Sequence, residues 1–393
     1  MSRPVFLFDI DGVLVKPAGY RRASQAALNF FTRQMGIEDQ ILGEDVFSMF
    51  ESQNIISEWD IVPLCLAAIV DDLMGRFPDL HLLADRSGSF DSMRRDNLPG
   101  PQVDYNALTL RLGAGFQPGK TFADLALLLN QPGVLNPPFP NLQGHPILAG
   151  ILEHTRDVVK SPIIRIFQQY VLGWETFQKA FGLPCALETG SYLMDFDRPA
   201  LDTSLFDELL EYWHKNKLDL AAYTIRPCAV GGEIPERILP YSPEGELALE
   251  ITGLDTIPLM GYGQVYRSAE LAGISPDNIV KPSPVQVLGA VGAAVFRNEM
   301  QAMSAAVKWT NGGDSAYFER LPALDIHIFE DSAGSILGVK SASEMLARLG
   351  IPVNLHAWGI ATSPVKVAAL RSVHAEIFSN VNIAIQEALS LLF

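Results

Sequence analysis

The apolar residues 5–8, Val-Phe-Leu-Phe, run directly into Asp9-Ile10-Asp11-Gly12, and no comparable run ending in a polar turn follows until residues 218–223. An unbroken apolar run of this length reads as a strand buried on both faces, here delivering two carboxylates at its carboxyl end. Similar short runs stand at 278–280, 324–329 and 352–356, and each of the later runs lies beside a plausible helix. That alternation predicts a parallel sheet with helical crossovers, a Rossmann-like three-layer α/β core. With 393 residues, 48% of them hydrophobic, the chain is long enough for one or two domains.

The helix signals are clearest late in the chain. Ser283-Pro284 pairs a hydroxyl cap with a first-turn proline and opens a helix expected to reach about 296. Further helices are expected from about 299 to just before Asn311-Gly312-Gly313, over 333–349 where Gly350 and Pro352 stop it, and over 380–392. Between 20 and 216 the character changes. Segments 23–35, 55–77, 122–129, 157–181 and 203–215 favour helix, whereas 78–102 and 131–147 are rich in Pro, Gly, Asn and Asp and read as loops. The expected organisation is a catalytic core of 1–18 and 217–393 with a large, mainly helical cap, 19–216, inserted after the first strand.

Four places along the core carry chemistry. In Asp9-Ile10-Asp11-Gly12 the carboxylates start on one side of an extended segment, and the glycine lets the chain turn sharply out of the sheet. Such a pair can divide labour, one attacking phosphorus while the other exchanges protons; the alternative is a turn with two solvated acids. In Tyr223-Thr224-Ile225-Arg226-Pro227 a hydroxyl and backbone amides can hold phosphoryl oxygens, with Arg226 reaching a second anionic group, although Thr224 can equally be a turn residue. Lys281, between a short run and the Ser283-Pro284 helix start, can neutralise charge between nucleophile and phosphate; otherwise it is an exposed lysine. Glu330-Asp331-Ser332 ends another run, and its carboxylates can hold magnesium with Asp9 and the backbone carbonyl of Asp11, or simply cap the next helix.

Taken together in this order, Asp9-Ile10-Asp11-Gly12, Thr224, Lys281-Pro282 and Glu330-Asp331 resemble the four motifs of the haloacid dehalogenase superfamily, over about 1–18 and 217–370. The resemblance implies that Asp9 forms an aspartyl-phosphate, that Asp11 is general acid and then base, and that Thr224 binds the phosphoryl group. It implies that Lys281 orients Asp9 and that Glu330 and Asp331, with Asp9 and Asp11, hold Mg2+. Gly12, Thr224, Ile225 and Arg226 are the candidates for substrate contact. Glu330-Asp331-Ser332 with Gly334 resembles the phosphatase and sugar-phosphate mutase branch, and Asp11 argues against haloacid dehalogenation. The insertion resembles the helical cap class but is longer than usual.

The remaining residues sharpen the exclusions. Acidic residues outnumber basic ones 45 to 29, a formal charge of −16, so nucleic acid and anionic membranes are poor default partners and a phosphorylated metabolite needs local cations. Cys65, Cys185 and Cys228 are widely spaced and suit a reducing cytosol without a disulfide framework. Asp9 and Asp11 interrupt the N-terminal apolar run, and the apolar stretch 61–70 is about half a membrane span, so a cytoplasmic protein is expected. In the cap, Arg21, Arg22, Arg156, Lys160 and Arg165 are candidate substrate contacts, and Arg156 and Lys160 can share a helix face. Glu188, Asp195 and Asp197 read as solvated acids, His327 as a structural histidine within a strand, and His356 as the end of the last core strand. The expected function is Mg2+-dependent hydrolysis of a small phosphorylated metabolite. A sugar phosphomutase and a non-catalytic ligand- or protein-binding module are the alternatives, and the sequence leaves room for a homo-oligomer.

Overall fold

The computed structural model describes residues 2–80, 98–117, 119–231 and 238–392. Its strands are β1 Arg3–Phe8, β2 Val15–Lys16, β3 Arg198–Pro199, β4 Asp219–Tyr223, β5 Leu259–Met260, β6 Leu324–Glu330, β7 Val353–Ile360 and β8 Glu376–Phe378. Six of them form a sheet in the order β5-β4-β1-β6-β7-β8, every neighbouring pair parallel. β1 lies at the centre, with Val5 in register with Asp219 on one side and Ile326 on the other. The order reverses between β1 and β6. In an open α/β sheet the crevice at the carboxyl ends beside such a reversal is where ligands bind.

The strands are mainly apolar on both sides because both faces of the sheet are covered. Val5 and Leu7 enter one core with Ala221, Tyr223, Ile326 and Ile328, whereas Phe6 and Phe8 enter the other with Leu220, Ala222 and Phe329. The helix Pro284–Phe296 is buried along almost its whole length, and its small residues Gly289, Ala290, Gly292, Ala293 and Ala294 leave little polar surface to expose. An all-round apolar helix of this kind belongs inside a domain. Ser283 caps it as expected, accepting from the amide of Val285 at 3.3 Å.

Two of the expected elements differ. Residues 278–280 are not a strand: Pro276–Asn278 is a short 3-10 turn, held at its start by Ser275, whose hydroxyl accepts from the Asp277 amide. The sheet instead takes Leu259–Met260, too short to stand out in the sequence. The strand expected to finish at 356 continues to Ile360, which moves His356 away from the strand end.

The chain divides into two compact units, residues 1–18 with 196–393, and residues 19–195. The second ends earlier than the 216 expected. The helix Thr203–His214, which resembles the insert in composition, packs Leu205, Leu209 and Trp213 with Phe6, Phe8 and Leu220 of the sheet. Its apolar stripe fits a sheet face as well as a helical bundle, so sequence pattern could not assign it.

The second unit is helical, built on Gly19–Gln34, Glu44–Ser52, Glu58–Arg76, Tyr105–Ala114, Phe122–Leu129, Ile147–Leu152, Pro162–Leu172 and Trp174–Phe181. The expected helix over 157–181 is two helices. Gly173 breaks it with φ +75°, and a Cβ there would stand 2.7 Å from the Ser191 amide nitrogen. Buried Asp71 fastens this unit internally, accepting from the amides of Asn141 at 2.7 Å and Leu142 at 3.1 Å. Most of the loop expected over 78–102 lies outside the described residues. Among the described residues no helix is long and apolar enough to cross a membrane.

Candidate active site

Because β1 and β6 are adjacent and parallel, the residues that follow them emerge side by side at the reversal of strand order. The Asp9 amide donates to the Phe329 carbonyl at 3.0 Å, continuing the ladder by one rung and fixing the Asp9 side chain against Glu330 and Asp331. Carboxylate oxygens of Asp9, Glu330 and Asp331 lie within 4.8 Å of one another. Gly12 allows the exit from β1 with φ +79°, and a Cβ there would fall 2.7 Å from Asp331 Oδ2.

Lys281 supplies the opposing charge. Its Nζ donates to Asp9 Oδ1 at 2.9 Å and to Glu330 Oε2 at 3.0 Å, and it sits 4.1 Å from the centre of the Tyr223 ring. The loop that carries it is held from below by fully buried Gln286. Gln286 Oε1 accepts from the Lys281 amide at 2.8 Å, while its Nε2 donates to the carbonyls of Thr224 at 2.9 Å and Met260 at 3.1 Å. One side chain therefore ties together the turns after β4 and β5 and the lysine loop.

Electrostatically the cluster is short of positive charge. Burial and then Glu330 push the Asp9 carboxyl well above its ordinary range, against the pull of Lys281. Burial likewise raises Asp331, opposed by Lys366, whose ammonium pairs with Asp331 Oδ2. Burial pulls Lys281 down, but Asp9 and Glu330 together lift it above its usual value. Three converging oxygen donors with one buried lysine between them make a set suited to a hard divalent cation.

The other expected site residues take varied positions. Thr224 is buried, and its hydroxyl accepts from the Arg226 amide at 3.1 Å, shaping the turn after β4. Ile225 beside it is half exposed. The Asp11 carboxylate pairs with Arg226, accepting from Nε at Oδ2 (2.9 Å) and from Nη2 at Oδ1 (2.6 Å). Arg226 is buried, and the same Nη2 also donates to Asp197 Oδ2 at 3.0 Å. The guanidinium expected to meet a second anionic group thus faces two carboxylates of the protein.

Three contributors escape a reading of the sequence. Asp197, read as a solvated acid, is buried and accepts from the Ala18 amide at 2.7 Å as well as from Arg226. Tyr223 donates its hydroxyl to Glu330 Oε2 at 2.8 Å. Lys366 follows Ser363-Pro364, a helix-start pair after the last long strand that repeats the signal around Lys281 and so was open to detection. No comparable mark accompanies Asp197.

Other sequence candidates have structural employment. Arg156 donates to Asp60 Oδ2 at 2.8 Å and lies over the Trp59 ring, outside any helix. Arg165 donates to the carbonyls of Val158 and Val159, and Arg21 pairs with Glu44 and Glu51. Burial raises the Cys228 thiol, which donates to Gln264 Oε1 at 2.6 Å, so it is no ready nucleophile. A second cluster, Asp325, His327 and His356, could also hold a metal ion by its spacing. There the Trp358 indole donates to His327 Nδ1 at 3.2 Å, which assigns the proton of the neutral ring to Nε2 and leaves no lone pair facing Asp325.

No protein-family model and no curated protein sequence matches the chain. Among solved structures, an X-ray structure of a structural-genomics target is 13% identical and covers 100% of both chains with a TM-score of 0.62, a likeness of fold. A phosphatase from Thermococcus thioreducens is 12% identical, with 98% of this chain and 99% of its own covered and a TM-score of 0.48.

Proposed function

We propose that the protein is a Mg2+-dependent phosphate-ester hydrolase of the haloacid dehalogenase type, with Asp9 as the nucleophile. The observation that carries this reading is the meeting of Asp9, Lys281, Glu330 and Asp331 at the reversal of strand order. Lys281 holds Asp9 Oδ1, which leaves Oδ2 to attack phosphorus. Attack makes the aspartyl-phosphate and breaks the bond to the leaving oxygen, which takes the bonding electron pair and a proton from Asp11. Water then attacks phosphorus, gives its proton to Asp11, and returns Asp9 as a carboxylate.

Asp9, Glu330 and Asp331, with the Asp11 carbonyl, are the groups proposed to hold Mg2+. Glu330 Oε2 also accepts from both Tyr223 and Lys281. Bound there, the cation would keep the crowded carboxylates ionised and draw charge from the phosphoryl oxygens. Lys281 adds a fixed donor on the same charge without reorganisation. Thr224 and the Ile225 amide complete the proposed phosphoryl cradle, whereas the Gly12 amide, a candidate in the sequence, donates to the Val15 carbonyl at 2.9 Å.

The test is phosphate release from a panel of small phosphate monoesters, with and without chelator, beside Asp9→Asn. Release by the native protein that vanishes with chelator and in the variant supports the reading. Release that survives in Asp9→Asn excludes it.

A further inference from the structure

Gln286 stands in the first turn of the helix Pro284–Phe296, three residues after its cap Ser283. A glutamine at that position ordinarily folds back to the amide of the capping residue. Here the Ser283 amide donates to the Val280 carbonyl at 2.9 Å, and Gln286 Oε1 reaches past it to the Lys281 amide at 2.8 Å. The other end of the side chain is anchored on the sheet edge. Gln286 Nε2 donates to the carbonyls of Thr224 at 2.9 Å and Met260 at 3.1 Å, and the Thr224 amide joins that pair by donating to the Met260 carbonyl at 3.0 Å. Gln286 is 0% exposed. A primary amide is costly to bury unless its polar atoms are paired, and this one is paired at both ends with backbone. The lysine loop is packed closely as well: a Cβ on Gly338, in the helix Ala333–Arg348, would stand 2.2 Å from the Pro282 carbonyl oxygen.

A lysine ammonium rides on a long flexible stem, so where it can be held depends on where its backbone is held. Lys281 Nζ donates to Asp9 Oδ1 at 2.9 Å and to Glu330 Oε2 at 3.0 Å, at the far end of that stem from the amide that Gln286 grips. We propose that Gln286 is a positioning residue. Anchored on the turns after β4 and β5, it fixes the Lys281 backbone at the distance from β1 that lets the ammonium hold Asp9 for attack. This rests on the reading of Asp9 as the nucleophile and Lys281 as its fixed cation. Gln286 touches neither Asp9 nor the proposed phosphoryl site, and it acts through Lys281. A catalytic group displaced by about 1 Å can lose on the order of 10²-fold in rate, so one buried amide in this place has leverage on turnover.

The experiment measures kcat and KM for 4-nitrophenyl phosphate with Mg2+ in the native protein, Gln286→Met, Lys281→Met and the double variant. Asp9→Asn is the control, and urea unfolding is followed alongside. Gln286→Met keeps the length of the side chain and removes its hydrogen bonds. It should lower kcat about 10- to 10²-fold and change KM less than about threefold. In the Lys281→Met background the same substitution should lower kcat less than about threefold, because the group it positions is gone, while it lowers the urea midpoint equally in both backgrounds. Gln286→Asn, one methylene shorter, cannot span the same groups and should show the same non-additivity, and it decides the matter if Gln286→Met does not fold. An equal factor in both backgrounds gives Gln286 a purely structural part and overturns the inference, as does native kcat in a folded Gln286 variant. Asp9-dependent turnover in either case leaves the hydrolase reading standing. Full activity in Asp9→Asn overturns both.

Discussion

The Tyr223 hydroxyl donates to Glu330 Oε2 across 2.8 Å, on the same oxygen that receives Lys281 at 3.0 Å. Glu330 is fully buried, so these donors decide where its charge sits and, through Lys281, how Asp9 is aimed. Tyr223→Phe keeps the ring under the lysine but leaves Glu330 one donor short. It should cost about 1–2 kcal/mol in urea unfolding and slow turnover about tenfold, with the protein still folded. Unchanged stability and turnover would separate Tyr223 from the site.

Lys281→Met removes the buried cation that touches two carboxylates. Loss of one preorganised donor on a developing charge typically costs about 10²–10³ in kcat, and that is the fall expected here. Steady-state kinetics at saturating Mg2+ tests it. A change confined to KM would contradict the assigned role.

Gly12→Ala meets two obstacles, the positive φ and a Cβ 2.7 Å from Asp331 Oδ2. The backbone strain alone is about 1–2 kcal/mol. Displacement of Asp331 should also raise the Mg2+ concentration needed for half-maximal activity. Titration of activity with Mg2+ separates this from a simple loss of stability.

Glu246 gives the stability a pH dependence of its own. Its Oε1 accepts from the Ala229 amide at 2.8 Å, Oε2 has no hydrogen-bond partner among the described residues, and burial raises its pKa to about 7. The folded state therefore holds a proton that the unfolded chain releases near its ordinary value. This contribution is fully present below about pH 4.5 and is lost as pH rises through about 7, by up to about 3 kcal/mol. Glu246→Gln should flatten that part of the pH profile in urea unfolding and raise stability at pH 8. An identical slope in the variant would assign the dependence to other groups.

The sheet was legible where strands are covered on both faces, because residues 5–8 are unbroken and 218–223 and 324–329 stay mainly apolar around Asp219, Asp325 and His327. It was not legible at Leu259–Met260 or Glu376–Phe378, where two or three residues leave no period to read. The carboxylates of Asp9, Glu330 and Asp331 and the ammonium of Lys281 could be picked out because each follows an apolar run or precedes a marked helix start. What pattern cannot give is the direction of a side chain after a turn. Asp11 and Arg226 were both recognised as polar groups near the site, yet their pairing depends on the return of residues 197–199 beside β2, a contact across some 180 residues that no local signal announces. Asp197 was misread for the same reason.

The most direct test is to quench the protein with acid during turnover of 4-nitrophenyl phosphate and Mg2+, digest it, and weigh the peptide that contains Asp9. The account predicts one added phosphoryl group on Asp9 in the native protein and none in Asp9→Asn, which should also release no phosphate. Steady phosphate release by Asp9→Asn, or a phosphoryl group on another residue in the native protein, would contradict it.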